Sequence, residues 1–347
     1  MATQPDPSPP APPTPHAIQV GSWKLGRRLG GQKNSGVYKA KHARLGRSAC
    51  VKILDARLVK DDEAVSRFFC EARAVAELGA EHLVDIFDFV YDRESGQVAY
   101  VMELLRGQDL RQVLEERRRI APARAARIAA QLCDALSPVH KAGVVHRNLR
   151  PSNIMLVRRG GDPDFLKLLD FGMARFPGKV RHATEVGAQI GSPLYVAPEQ
   201  VASADVDARA DLYAVGGILF HMLTGGPPFR GATTEELLAQ KAAAVQAPSP
   251  VGDHGAGVVS PALAAIVQRL LARNPADRFP DAASARAALL GAGEMDPWSA
   301  DDRTMAVQPL APAAGETTRV LSRFGAYGLG VSFAIGLATG LAMMFLR

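Results

Sequence analysis

Two short runs, His146-Arg147-Asn148-Leu149-Arg150-Pro151-Ser152-Asn153 and Asp170-Phe171-Gly172, constrain this chain more than any other feature. The third position of the first run is Asn148. An amide oxygen accepts a hydrogen bond but has almost no basicity, so it can orient a hydroxyl and cannot deprotonate it. Further runs bracket these two in a fixed order. Ala49-Cys50-Val51-Lys52 and Arg67-Phe68-Phe69-Cys70-Glu71 come before; Ala197-Pro198-Glu199, Asp211-Leu212-Tyr213-Ala214-Val215-Gly216 and Asn274-Pro275-Ala276-Asp277-Arg278-Phe279 come after. One such triplet would be chance. An ordered series is not.

The series resembles the protein kinase family, and most of all the bacterial eukaryotic-type Ser/Thr kinases, over roughly residues 22–292. The resemblance implies an α+β, two-lobed fold with a small β-rich lobe at 22–105 and a larger helical lobe at 106–292. It implies that Lys52 holds the α- and β-phosphates of ATP, oriented by Glu71, and that Asn153 and Asp170 hold Mg²⁺. Leu29, Val37, Cys50 and Met155 fall where the family sandwiches adenine, with Cys50 in place of the usual alanine. Met102 takes the gatekeeper position, and Glu103 to Leu105 form the hinge that carries the adenine hydrogen bonds. His146 and Phe171 read as packing residues of the core.

The chain departs from the family pattern in two places. Aligning Val37-Tyr38 with the family's Val-Tyr puts Gly30, Gln32 and Ser35 at the three positions of the glycine-rich loop, so only Gly30 survives. Those glycines let backbone N–H groups approach phosphates closely; Gly31 and Gly36 are adjacent and could restore that freedom in a shifted register. The second departure surrounds the missing base. Asn148 stands for aspartate, Arg150 for the lysine that steadies the γ-phosphate, and Ser192 in Gly191-Ser192-Pro193 for threonine. Arg150 keeps the charge on a planar head and Ser192 keeps the hydroxyl. Only Asn148 loses a chemical capability. Arg147 could pair a phosphorylated Thr184.

A length of 347 residues allows about two domains, and 47% apolar with 22% charged residues describes a globular chain. Net charge is +6, but Arg117-Arg118-Arg119 and Arg158-Arg159 lack interleaved aromatics, so no nucleic-acid partner is expected. Cys50, Cys70 and Cys133 form neither a zinc pattern nor a disulfide framework. His42, His82, His140, His182, His221 and His254 show no ligand spacing and receive no role. Residues 1–21 are proline-rich and read as a disordered arm; no signal peptide is expected. Residues 22–105 read as strands around one helix. From about 108 to 292 the pattern turns helical, notably at 121–140 and 259–272. Residues 293–323 read as a linker.

Phe324 to Leu346 carries no charge, and as a helix it would span roughly 34 Å, enough for a bilayer core of about 30 Å. Arg319 and Arg323 precede it and only Arg347 follows, so the expectation is a single-pass C-terminal anchor in the inner membrane with the kinase-like domain cytoplasmic. Little follows this span, so no external sensor domain is expected on the chain. Gly328, Ser332, Gly336 and Gly340 line one helical face that could support a homodimer.

Three functions stay open at this point. The first is a membrane-anchored, nucleotide-binding pseudokinase with impaired phosphotransfer, acting as a scaffold or allosteric regulator of a protein partner. The second is an active Ser/Thr kinase that transfers the ATP γ-phosphate to protein hydroxyls with an atypical base. The third is a structural module that binds no nucleotide.

Overall fold

A computed structural model describes residues 18–31, 35–92, 96–171, 193–202, 206–243, 247, 249–250, 252–253 and 257–292, without the side chains of Arg67, Glu71, Ala202 and Ala242. The N-terminal part is an antiparallel sheet of six strands: β1 (Gln19–Val20), β2 (Trp23–Gly30), β3 (Ser35–His42), β4 (Ser48–Leu54), β5 (Ile86–Asp92) and β6 (Gln97–Met102), in spatial order β1-β2-β3-β4-β6-β5. β4 lies between β3 and β6, and its sequence Ser-Ala-Cys-Val-Lys-Ile-Leu is buried on both faces. Alternation along the strand sends Ala49 and Val51 into a small outer cluster with Val20, Trp23, Ala40, Ala99 and Val101. The same alternation turns Cys50, Lys52 and Leu54 to the opposite face, toward the helix α1 (Asp62–Leu78).

α1 starts where the Asp61 carboxylate accepts hydrogen bonds from the Glu63 and Ala64 N–H groups, and ends at Gly79 with φ +54°. Its buried residues Ala64, Val65, Phe68, Ala72 and Val75 recur at intervals of three and four, which makes one apolar stripe against the main core.

The C-terminal part is built on α3 (Pro122–Lys141) and α5 (Arg209–Thr224), preceded by the short α2 (Leu110–Arg117). α5 is buried on nearly every side, the signature of a central helix rather than an amphipathic one. Of the remaining helices, α7 (Pro261–Leu270) packs on α5, α8 (Ala282–Ala292) on α3 and α7, and α4 (Pro198–Ala202) on α6 (Thr234–Ala242). Gly216 is where α5 and α7 close up: a Cβ built there would lie 2.7 Å from Leu270 Cβ.

Two expectations need correction. Gln19 and Val20, expected to lie in the arm 1–21, instead pair with Lys24 and Trp23, and Val20 is buried in the outer cluster. The helical pattern expected from about 108 is also interrupted. β7 (Gly107–Asp109), β8 (Ile154–Arg159) and β9 (Asp162–Leu168) form a three-stranded sheet under the hinge. β8 opens on the short apolar run Ile154-Met155-Leu156-Val157, which periodicity alone does not separate from helix, and β9 mixes polar and apolar residues. β10 (Gly252–Asp253) and β11 (Val258–Val259) form a small hairpin. Among the described residues no helix is long and apolar enough to cross a membrane. The expected span Phe324–Leu346, with Gly328, Ser332, Gly336 and Gly340, lies outside the described residues, as do the linker 293–323 and residues 1–17.

Candidate functional site

Strand alternation and register put Lys52 beneath the sheet: it pairs with Val37 on one side and Tyr100 on the other. Its ammonium reaches across to Asp170, 2.9 Å from Oδ1, and lies 5.4 Å from the Tyr100 ring. Asp170 adopts φ +59°, in the left-handed region that non-glycine residues enter only when their surroundings impose it. Cys50, one pleat away on the same face, pairs in register with Met102 and is 7% exposed. Burial pushes its thiol up to about 11, so it stays a neutral packing group. Gly30 pairs with Val37 at the mouth of the cleft, and Leu29 beside it is 41% exposed. Met155 lies on β8, opposite Lys167 and Asp109.

The run 146–153 is held from below by one buried carboxylate. Asp211, on the first turn of α5, accepts the His146 N–H at 2.8 Å on Oδ2 and the Arg147 N–H at 2.8 Å on Oδ1. His140 Nε2 approaches Oδ2 at 2.9 Å. Burial alone would raise the Asp211 carboxyl, but the His140 hydrogen bond and the two imidazoles hold it below its ordinary value. His140 Nδ1 is buried with no hydrogen-bond partner among the described residues. These bonds hold Arg147 at φ +63°. His146 is fully buried, its ring 4.6 Å from the Phe171 ring, and burial pushes its pKa down. Both residues pack as expected.

Asn148 is 5% exposed and its carbonyl accepts from Asn153 Nδ2 at 2.9 Å. That bond settles which end of the Asn153 amide is oxygen. Oδ1 is left on the other side, 3.4 Å from Arg150 Nε. The Leu169 N–H donates to the Asn153 carbonyl at 2.8 Å, which ties the residue before Asp170 to the asparagine. An amide oxygen and a carboxylate so linked are hard oxygen donors, and they fit Mg²⁺ better than a soft or imidazole-seeking metal. Among the described residues no cluster of three or more His, Cys, Asp or Glu side chains forms a metal site.

At the hinge, the Glu103 carboxylate points away from the cleft. It accepts from Lys167 Nζ at 2.6 Å and from the Asp85 N–H at 2.9 Å, while the Glu103 N–H donates to the Asp85 carbonyl. The Glu103 acid is therefore taken up by Lys167 and the Asp85 main chain. Leu105, in the same connection, is half-buried. Sequence reasoning missed this latch, and it missed His140 as the partner of Asp211. Neither has a local signal, because the partners lie 64 and 71 residues apart. Glu71 sits on α1, but its side chain lies outside the described residues, as do Gln32, Gly172, Thr184, Gly191 and Ser192.

Arg278 anchors the segment that follows the cleft. It is fully buried and all five of its N–H groups are engaged: two by Glu199, and one each by the carbonyls of Ala272, Arg209 and Arg273. Gln200 completes the connection, with Nε2 donating to the Arg147 carbonyl at 3.2 Å.

Comparison with known proteins agrees with this geometry. The protein kinase domain model matches residues 23–288. Similar proteins include the serine/threonine-protein kinase Pkn1 of Myxococcus xanthus, 40% identical over 78% of this chain and 38% of that protein. Pkn3 of the same organism is 36% identical over 73% of this chain and 46% of its own length. The serine/threonine-protein kinase PknB of Mycolicibacterium smegmatis is 34% identical over 86% and 48%. The chain thus spans less than half the length of these relatives. It belongs to the protein kinase domain family and carries a bacterial Ser/Thr protein-kinase-like domain.

Proposed function

We propose that this protein binds ATP with Mg²⁺ and transfers phosphate poorly or not at all, acting as a membrane-anchored pseudokinase that scaffolds or regulates a protein partner. The observation that carries the reading is Asn148. Its buried position leaves a carboxamide where the acceptor hydroxyl would shed its proton. General-base catalysis contributes about 10²–10⁴-fold, or roughly 3–5 kcal/mol of barrier. In this reading Lys52 pairs phosphate oxygens, the Glu103 carbonyl and the Leu105 N–H meet the adenine edge, and Leu29, Val37, Cys50 and Met155 enclose its faces. Asn153 Oδ1 and Asp170 would hold Mg²⁺, which when bound neutralises phosphate charge. Arg150, beside Asn153, adds a second cation toward the γ-phosphate. Phe324–Leu346 supplies the anchor, with the domain on the cytoplasmic side, and its small-residue face a contact between two copies.

A second reading, an active Ser/Thr kinase with an atypical base, is favoured by the ordered Lys52–Asp170 pair and by relatives that are named as kinases. Phosphoryl transfer passes through a loose transition state, so late proton removal does not forbid turnover. Labelled ATP with an acceptor protein discriminates the two. The expected result is negligible transfer by the wild-type chain and a gain of at least tenfold in Asn148→Asp. Robust wild-type turnover abolished by Asp170→Asn sinks the pseudokinase reading. A thermal shift with ATP and Mg²⁺ tests nucleotide binding, and its absence favours a structural module.

A further inference from the structure

Lys241 is a buried amine that the cleft does not use. It lies near the end of α6, is 2% exposed, and has no carboxylate within ion-pairing distance among the described residues. A buried ammonium is ordinarily paired with an acid. Here its Nζ donates instead to two main-chain carbonyls, Leu194 at 3.0 Å and Val196 at 2.7 Å. The Tyr213 and Phe229 rings stand 5.4 and 5.8 Å away. An apolar residue could fill this shell but would offer no N–H to either carbonyl. The amine has one specific effect there, which is to fasten residues 194 to 196.

The fastened segment runs directly toward the reaction centre. Between its two clamped carbonyls, the Tyr195 hydroxyl is 2.7 Å from His221 Nδ1 on α5. The Ala197 N–H donates to Gln200 Oε1 at 3.0 Å, and Gln200 Nε2 reaches the Arg147 carbonyl, next to Asn148. Glu199 is locked to Arg278. Residues 194–200 thus form a main-chain shelf with fixed anchors on α5 and α6 that adjoins the position where an acceptor hydroxyl must lie. A shelf held by carbonyl clamps can present a constant edge to a polypeptide without dictating its side chains.

We infer that Lys241 is a positioning residue for a polypeptide: by clamping the Leu194 and Val196 carbonyls it holds the shelf on which a Ser- or Thr-bearing segment rests beside Asn148. This deepens the proposed function, on which it rests, by giving the protein partner a site. Whether the bound segment is phosphorylated or merely held then depends on residue 148 and not on residue 241.

The test uses the full chain, its Lys241→Met variant and dephosphorylated casein as the polypeptide, with ATP and Mg²⁺ present. Fluorescence anisotropy of labelled casein should show its Kd rising at least fivefold in Lys241→Met, while the ATP-dependent thermal shift is unchanged. Amide exchange at residues 194–197 should quicken at least tenfold, with 146–153 unaffected. In an Asn148→Asp background the same substitution should raise KM for casein at least fivefold and change kcat less than twofold. Equal Kd values, or a wild-type chain that does not bind casein, overturn the assignment. So does unaltered exchange at 194–197, which remains readable even where Lys241→Met loses some stability. Failure of Asn148→Asp to turn over faster than wild type refutes the reading of Asn148 alone and leaves the Kd comparison intact.

Discussion

Replacing Asp211 with asparagine should disturb the cleft beside Asn148 from beneath the run 146–153. The carboxylate takes two main-chain N–H groups, one on each oxygen, at 2.8 Å, and His140 at 2.9 Å. An amide keeps one oxygen and turns a donor toward the other N–H. A stranded buried N–H costs about 1–3 kcal/mol, and losing the charge from the surviving bond about 1 more. The sum is roughly 2–4 kcal/mol, and for a domain of this size each kcal/mol lowers Tm by about 2–4 °C. Because those same bonds hold Arg147 at φ +63°, a strained geometry that relaxes once released, the loop should loosen before the domain melts. Guanidinium denaturation should show the lower midpoint with an unchanged slope, and the ATP–Mg²⁺ thermal shift should fall by more than half. A loss under 1 kcal/mol with a full nucleotide response would refute the claim that Asp211 organises the catalytic run.

Glu199→Ala should cost about 3–5 kcal/mol in denaturant midpoint, since it leaves the fully buried Arg278 guanidinium without its countercharge. Pairing it with Arg278→Met should recover at least half, and strictly additive losses would contradict the coupling. Gly216→Ala should destabilise by about 1–3 kcal/mol, because the new methyl meets Leu270 Cβ at 2.7 Å; a neutral effect in thermal melts would mean that α5 and α7 can separate freely. Lys241 makes a prediction about pH. Burial lowers its pKa from 10.5 to about 7, so the folded chain binds fewer protons there than the unfolded chain between those values, and stability contributed at this site rises with pH. Tyr213, which faces it, is pushed upward by burial and stays neutral. Relative to Lys241→Met, wild-type unfolding free energy should grow by about 2 kcal/mol from pH 7 to 9; parallel pH curves would show that the amine is solvated.

How much of this was legible in the chain depends on whether the information was local. Lys52, Asn148, Asn153 and Asp170 could be marked because each sits in a short run whose chemistry survives out of context, and α3 and α7 because their apolar spacing is regular. Strand β1 was not visible, since two residues beside a proline-rich arm carry no period of their own. β8 and β9 were hidden because each carries too few apolar residues in a row to show a period. A lysine on a short helix reads as a solvated face, so nothing in the run around Lys241 announces burial. Nothing near Glu103 in the chain marks Lys167, 64 residues on, as the partner of its acid.

Sequence alone therefore determined the family, the order of its working parts and the one missing carboxylate, because these are matters of which groups are present. Only the tertiary structure decided which groups face one another: Lys52 with Asp170, Asp211 beneath His146 and Arg147, Lys241 under the 194–196 shelf. Such pairings are set by burial, which forces every enclosed polar group to find a partner, and that partner is chosen by packing and not by proximity along the chain.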